Sequence, residues 1–387
     1  MAIPLSYNVR NLIVRKTTTL MTASGVAMTV AVLLAVLGLV AGLSLAFAST
    51  GDPTHVLILR KGGNAELTSL FTPEQFQIVK SFPGVAAGAD GTPMASMEIV
   101  SVINLPNAEN PLGANLTVRG LSMRGVEMRH LKLAAGRWFR PGEREVTVGK
   151  AIAKRYPQAR LGNQLKFGRG LWTVVGVMDG GNSAINSEIF GDGSTVAADF
   201  NRPDTYSSAL LQATDPAAAA ALQKSLLADR RLNVAVMSEK EYYDAQTVSA
   251  QPVKFLGFFV CIIMAVGSCF AAMNTMYAAV ARRSKEIGTL RILGFSKGSI
   301  LLSFLIESML LSLVGGVLAC LLVFPLNGVT TSMGNFITFS ETSFNFHIGP
   351  QVMVSGIIFS MLLGALGGLL PARQAARKEI LTALRDI

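Results

Sequence analysis

Residues 282–295 read Arg-Arg-Ser-Lys-Glu-Ile-Gly-Thr-Leu-Arg-Ile-Leu-Gly-Phe, the densest charge in the C-terminal half of the chain, set between two long apolar runs. Ile287, Leu290 and Leu293 recur at helical spacing among Lys285, Glu286 and Arg291, and Gly294 supplies a stop. The spacing predicts a short amphipathic helix starting near Ser284 and lying at a membrane surface between two spanning helices. Charge alone favours a solvated basic loop of the kind that orients membrane proteins.

The flanking runs bring the rest of the chain into the argument. The 387 residues carry a formal charge of +10, yet half are hydrophobic and only 15% are charged, a balance that points to membrane insertion. Basic residues interleaved with aromatic ones, the footprint of nucleic-acid binding, do not occur. Cys261, Cys269 and Cys320 all fall in apolar runs, where they serve as small buried residues. His55, His130 and His347 have no cysteine or carboxylate at ligand spacing, so no metal site is expected. A GxxxxGK[ST] phosphate loop is absent from the sequence, so no ATP hydrolysis and no cofactor are expected in this chain.

In chain order, residues 1–19 place Arg10, Arg15 and Lys16 among Leu5, Val9, Leu12 and Ile13, which predicts an amphipathic surface helix. Leu20 to Phe47 is uncharged, and its 28 residues at about 1.5 Å each exceed a hydrocarbon core of roughly 30 Å. The first span, residues 20–48, therefore continues into a stalk. Ala46-Phe47-Ala48 has the form of a signal-peptidase site, but the apolar run is about twice the length of a signal core, so a retained span is expected. Gly38 and Gly42 form a GxxxG face suited to close helix packing.

Residues 49–251 change to a mixed α and β pattern. Strand HVLILR (His55 to Arg60) precedes a helix at Thr72-Pro73 with Gln75 completing a capping box. At the far end, SSALLQA, a helix capped by Asp215 with Pro216, and LNVAVM repeat the arrangement. Two such units predict a ferredoxin-like part built from 52–92 and 205–245, with a β-rich insertion over 93–204. Within that insertion EIVSVINL, NLTVRGL, EVTVG, LGNQLKF and LWTVVGVM read as strands between glycine turns, forming a compact barrel-like subdomain, with KAIAKRYP as a short helix. No nucleophile, base and orienting group can be assembled from these residues.

A helix capped by Ser238 and Glu241 leads into the second stalk and span, residues 252–281. Spans three and four are expected at 299–326 and 351–370, separated by a short loop at 327–350, with Pro371 ending the last helix and 371–387 forming a tail. Lysines and arginines number three before the first span, five between 282 and 298, four in the tail and none between Asn327 and Gln351. Both termini and the basic stretch are thus expected in the cytoplasm, with the large domain outside. Glu307 is the one acid inside a span, about two turns in from Ser299. It needs a partner such as Lys297 or a neighbouring helix end, or else a proton or substrate role. Gly315, Gly316, Gly364, Gly367 and Gly368 would let helices approach closely. The fold class is an α-helical membrane protein with four transmembrane helices and a large extracytoplasmic α+β domain.

One span, a large domain, then three spans with ARRSKEIGTLRILGFSKGSI, FLIESMLLSLVGG and a terminal PARQAARKEILTALRDI resemble the MacB/FtsX/LolC type of ABC-transporter permease, a DevC-like form standing apart from its ATPase. The resemblance covers the whole chain and is strongest from Phe255 onward. It implies that Ser284, Lys285, Glu286, Ile287, Leu290, Arg291 and Leu293 form a coupling helix that docks into a cytoplasmic ABC ATPase subunit, where ATP and magnesium are held. Glu286, Ile287, Arg291 and Leu293 are the expected contacts. It further implies a homodimer in the bacterial inner membrane, a periplasmic adaptor, an outer-membrane channel and efflux of an amphipathic substrate by mechanotransmission. An FtsX-like regulator that activates a cell-wall hydrolase without transport is the alternative, and a membrane-anchored enzyme a third reading that lacks a catalytic set.

Overall fold

The computed structural model describes residues 10, 13–14, 16–107, 110–335 and 337–377. Most of the surface helix expected over 1–19, and the tail beyond Arg377, lie outside the described residues. The chain divides into two compact units: a helical unit of Met1–Ala41, Gln251–Val329 and Phe346–Ile387, and a sheet unit of Gly42–Ala250 with Thr330–Asn345.

In chain order the elements are α1 (Lys16–Ala48), β1 (His55–Arg60), α2 (Pro73–Lys80), β2 (Ala95–Leu105), β3 (Ala114–Leu121), α3 (Met123–Met128), β4 (Lys132–Gly136), β5 (Glu145–Gly149) and α4 (Lys150–Arg155). Then follow β6 (Gln164–Phe167), β7 (Gly170–Asp179), β8 (Glu188–Asp192), α5 (Gly193–Asp199), β9 (Ser208–Gln212), α6 (Pro216–Ala228), β10 (Val234–Ser238) and α7 (Glu239–Gln246). The remainder is α8 (Gln251–Arg282), α9 (Ser284–Ile292), α10 (Lys297–Val323), β11 (Thr330–Gly334), β12 (Glu341–Asn345) and α11 (Pro350–Arg377).

Local signals set the helix starts of the sheet unit. Thr72 and Gln75 form a reciprocal capping box ahead of Pro73, Ser238 and Glu241 form another, and the Asp215 carboxylate accepts from the Ala217 and Ala218 amides. Each satisfies donors that a helix start leaves open. One region of the sheet runs β10-β1-β9-β2, every pair antiparallel. Val56, Ile58, Phe71, Val79, Leu211, Leu222 and Leu226 pack between it and helices α2 and α6.

The second region continues β2-β3-β8-β5-β7-β4, with β6 also on β7. Here β3 with β8 and β5 with β7 are parallel, and the rest antiparallel. Its core centres on buried Trp172, stacked on Phe167 at 4.9 Å with its indole N–H given to Asp199 at 3.0 Å. The expected compact barrel is replaced by an open mixed sheet: β4 and β6 both pair with β7, at its two ends, and the opposite end of the region runs on through β2. Ala95 to Glu98 pair with β9 while Ile99 to Leu105 pair with β3, so one strand serves both regions.

Residues 330–345, read in the sequence as part of a plain loop, form an antiparallel hairpin that groups with the sheet unit. Arg155 bonds Glu341 at 2.5 Å, and the Ser343 amide donates to Ser187 Oγ at 2.6 Å. Its Thr, Ser and Asn side chains lack the apolar alternation that marks a strand.

Among the described residues four helical segments are long and apolar enough to cross a membrane, Thr19–Ala48, Glu239–Arg282, Lys297–Leu326 and Pro350–Arg377, built on α1, α8, α10 and α11. The 33 residues of α1 and 32 of α8 each span about 50 Å, well beyond one hydrocarbon core. Pro371 does not end the last helix, which continues to Arg377. Pro371, Ala372, Ala375 and Ala376 are all buried, so packing of this turn offsets the roughly 3 kcal/mol an interior proline costs.

Candidate functional site

Helix α9 is set off from α8 by Arg283, whose backbone leaves helical geometry at φ −101° and ψ 16°. It closes at Gly294 with φ +91°, and the Gly294 and Phe295 amides donate to the Arg291 and Leu290 carbonyls. Glycine takes this left-handed turn without the penalty a Cβ imposes. Between these stops one face turns inward: Ser284, Ile287 and Gly288 are buried. Ile287 packs with Met276, Val280, Ile300, Phe304, Ala372 and Ala375, drawn from α8, α10 and α11. At 2% exposure Ile287, expected as a partner contact, is enclosed by these helices and holds α9 against them. The outer face carries Lys285, Glu286 and Thr289, and the end of the helix exposes Ile292 and Leu293. Leu290 is half-buried, and Arg291 turns its Nη1 to the Phe295 carbonyl at 3.4 Å.

The anchor is ionic as well as apolar. Arg283 Nη1 donates to Glu307 Oε2 at 2.7 Å, its Nε donates to Glu286 Oε2 at 3.0 Å, and its guanidinium lies 4.9 Å over the Phe304 ring. Arg283 and Glu307 are both buried. Their charges would each cost several kcal/mol to bury alone, and pairing removes that isolation. Glu307 thus takes Arg283, at the end of the neighbouring helix, in place of Lys297. Sequence reasoning counted Arg283 only as an orienting charge. The available signal was an acid inside a span, which calls for a base within helix reach.

The small residues act at distinct contacts. A Cβ on Gly315 would lie 2.8 Å from the Ala23 carbonyl of α1, and one on Gly316 would strike Ser360 of α11. Gly364 and Gly368 leave space for Ser312 and Ser308 of α10, and Ser308 Oγ donates to the Gly364 carbonyl at 2.7 Å. Gly38 admits the segment before α11 rather than another helix: His347 N–H bonds its carbonyl at 3.2 Å, and a Cβ there would meet Ile348 at 3.0 Å. Gly42 is buried within the sheet unit. Hydroxyls join α1 to α8, Thr29 to Ser268 at 2.5 Å and Thr22 to Thr275 at 3.3 Å.

Inside the sheet unit lies a charged cluster that the sequence reading missed entirely. Arg119 and the side chain of Arg129 are buried among Glu66, Glu98, Glu188, Glu239 and His55. Burial opposes the charge on Arg119, but Glu188 and Glu66 outweigh it and raise its pKa well above the usual value. Burial likewise opposes ionisation of Glu239. The His55 hydrogen bond and the charges of Arg129 and His55 reverse that and hold its carboxyl below the ordinary range. Among the described residues no three His, Cys, Asp or Glu side chains are arranged to hold a metal ion.

Among the described residues, four helices long and apolar enough to cross a membrane, with a mixed-sheet unit inserted in the chain between the first and second, are the features of a multi-span membrane protein. A family model described as the MacB-like periplasmic core domain matches residues 19–228, and one described as the FtsX-like permease C-terminal matches 257–380. The chain belongs to the MacB/FtsX-type family of ABC transporter permeases. A relative named macrolide export ATP-binding/permease protein MacB, from Rhodopseudomonas palustris, is 26% identical over 71% of this chain and 44% of its own length. The uncharacterized ABC transporter permease YknZ of Bacillus subtilis is 33% identical over 36% of this chain and 32% of its own. The chain thus spans less than half the length of these relatives. The periplasmic region of MacB from Actinobacillus actinomycetemcomitans superposes with a TM-score of 0.37 at 16% identity, over 51% of this chain and 94% of that one.

Proposed function

We propose that this chain is the transmembrane subunit of an ABC exporter, converting ATP hydrolysis on a separate ATPase subunit into motion of its large domain. The observation that carries the reading is the construction of α9. Its inner face is fixed by Ile287 and by Arg283 on Glu307, while Lys285, Glu286, Ile292 and Leu293 stand outward. A helix held rigidly on one side and presenting charge and apolar surface on the other suits a partner groove.

The remaining parts extend this reading. The distribution of basic segments supports an arrangement with α9 and both termini in the cytoplasm and the sheet unit outside the inner membrane. The order β10-β1-β9-β2 with α2 and α6 supports a ferredoxin-like half. A second copy of the chain, a periplasmic adaptor and an outer-membrane channel complete the assembly, which expels an amphipathic substrate. Recovery of an ABC ATPase with the full chain from membranes is the first expectation, and its absence sinks the reading. Replacing Glu286 and Arg291 together by alanine is expected to leave insertion intact and to disconnect the ATPase's hydrolysis from export. Unchanged export in that variant removes the coupling role. Co-recovery of a cell-wall hydrolase in place of an adaptor would instead establish the regulator reading.

A further inference from the structure

Arg119, on β3, gives all five of its N–H groups to three carboxylates. Nε and Nη2 donate to Glu188 at 2.7 and 3.2 Å, Nη1 to Glu66 and Glu98 at 2.9 and 2.8 Å, and Nη2 also to Glu66 at 2.9 Å. Glu98 lies on β2, the strand common to both sheet regions, Glu188 starts β8 in the second region, and Glu66 follows β1 in the first. Arg129 grips the other side of Glu98, with Nη1 and Nη2 at 2.6 and 2.9 Å, and lies 3.7 Å from Glu239 Oε1. The second oxygen of Glu239 meets His55 Nδ1 at 2.7 Å and accepts from the Asp52 amide at 3.3 Å.

The line Glu188 to Arg119 to Glu98 to Arg129 to Glu239 therefore crosses both sheet regions and ends at one residue. Glu239 is the first residue of α7, which one 3-10 turn, Thr247–Ala250, joins to α8. Asp52 stands just beyond the end of α1, where Thr50 Oγ1 also accepts from the Ala184 amide at 2.8 Å. The chain rising from the first span and the chain returning to the second thus meet at Glu239. Buried ion pairs are poor net stabilisers compared with apolar packing of equal volume. What a forked guanidinium on carboxylates offers is fixed geometry.

We propose that this buried line is the joint through which displacement of the spanning helices reaches both halves of the external domain, with Arg129 and Arg119 as positioning residues. The inference rests on the proposed function and assigns its mechanical path. Glu239 is the point of entry, Arg129 passes its displacement to Glu98, and Arg119 distributes it to Glu66 and Glu188. Without the Arg129 link, helix motion is taken up within α7 and the two regions no longer turn together.

The test uses the full chain in lipid nanodiscs with the ATPase recovered with it, Cys261, Cys269 and Cys320 replaced, and spin labels at Leu171→Cys and Leu227→Cys. Of these two exposed sites, Leu171 lies on β7 of the second region and Leu227 on α6, which packs against the first. In the otherwise unaltered protein the label distance is expected to be narrowly distributed and to shift with ATP, magnesium and vanadate. Arg129→Met with Glu239→Gln is expected to keep the ATPase bound, to lose the shift and to broaden the nucleotide-free distribution roughly twofold. Arg129→Lys, which keeps the charge but not the fork, is expected to fold and to fall between the two. It serves as the decisive variant if the double substitution does not fold. Wild-type width and shift in Arg129→Lys, or in the double variant, overturns the proposal. If the unaltered protein ignores nucleotide, the exporter reading fails, while the nucleotide-free widths still decide whether Arg129 holds the two regions together.

Discussion

Arg283 and Glu307 carry the sharpest expectation at the scale of the residue. Arg283→Ala leaves a buried carboxylate unpaired and is expected to cost about 3–5 kcal/mol in unfolding of the micelle-bound chain. Arg283→Met with Glu307→Leu removes both charges and is expected to recover most of that loss. A single variant as stable as the parent, or a double variant as weak as the single, would show that the pair does not behave as a buried ion pair. Glu239 sets a pH dependence with the opposite origin. Its folded-state pKa is held below the usual value, so its contribution is complete above about 4.3 and is lost as pH falls through the lower folded value. Acid is therefore expected to lower the thermal midpoint, and Glu239→Gln to flatten that limb. Coincident acid limbs in the two proteins would count against the assignment.

Among elements, the α10 and α11 pair depends on small residues in register. Gly364 and Gly368 face Ser312 and Ser308 without a Cβ between them. Gly364→Val is expected to cost about 1–3 kcal/mol by forcing the helices apart, measured as loss of folded protein in detergent at rising temperature. A tolerated valine would mean that the helices slide freely. Helix α9 shows how far one element can be read alone. Its start, its glycine stop and its amphipathic spacing are local and were legible. Which apolar residue faces the bundle was not, since Ile287 and Leu293 look alike in the sequence and differ only in what α8, α10 and α11 place beside them. Pro371 makes the same point from the other side, because packing around it outweighs its local preference.

For the whole molecule, orientation is open to direct measurement. With the native cysteines replaced, a cysteine at Leu112, 90% exposed in the sheet unit, is expected to react with an impermeant maleimide in intact cells. One at Lys285 is expected to react only after permeabilisation. The reverse pattern would invert the placement of every loop.

Short-range chemistry was settled by the sequence alone: four apolar runs long enough to span a bilayer, capped helix starts at Thr72, Asp215 and Ser238, and glycine at the end of α9. Each depends on residues within a turn or two of one another. The tertiary structure alone decided what depends on distant partners. It divided β2 between two sheet regions, turned 330–345 into a hairpin of the sheet unit, and gave Glu307 to Arg283. It also gathered Glu66, Glu98 and Glu188 around Arg119, though each reads along the chain as an ordinary polar position. The physical reason is common to all of these. A cap or an apolar run is satisfied by its neighbours in sequence, whereas a buried charge or a shared strand is satisfied only by groups that folding brings from elsewhere.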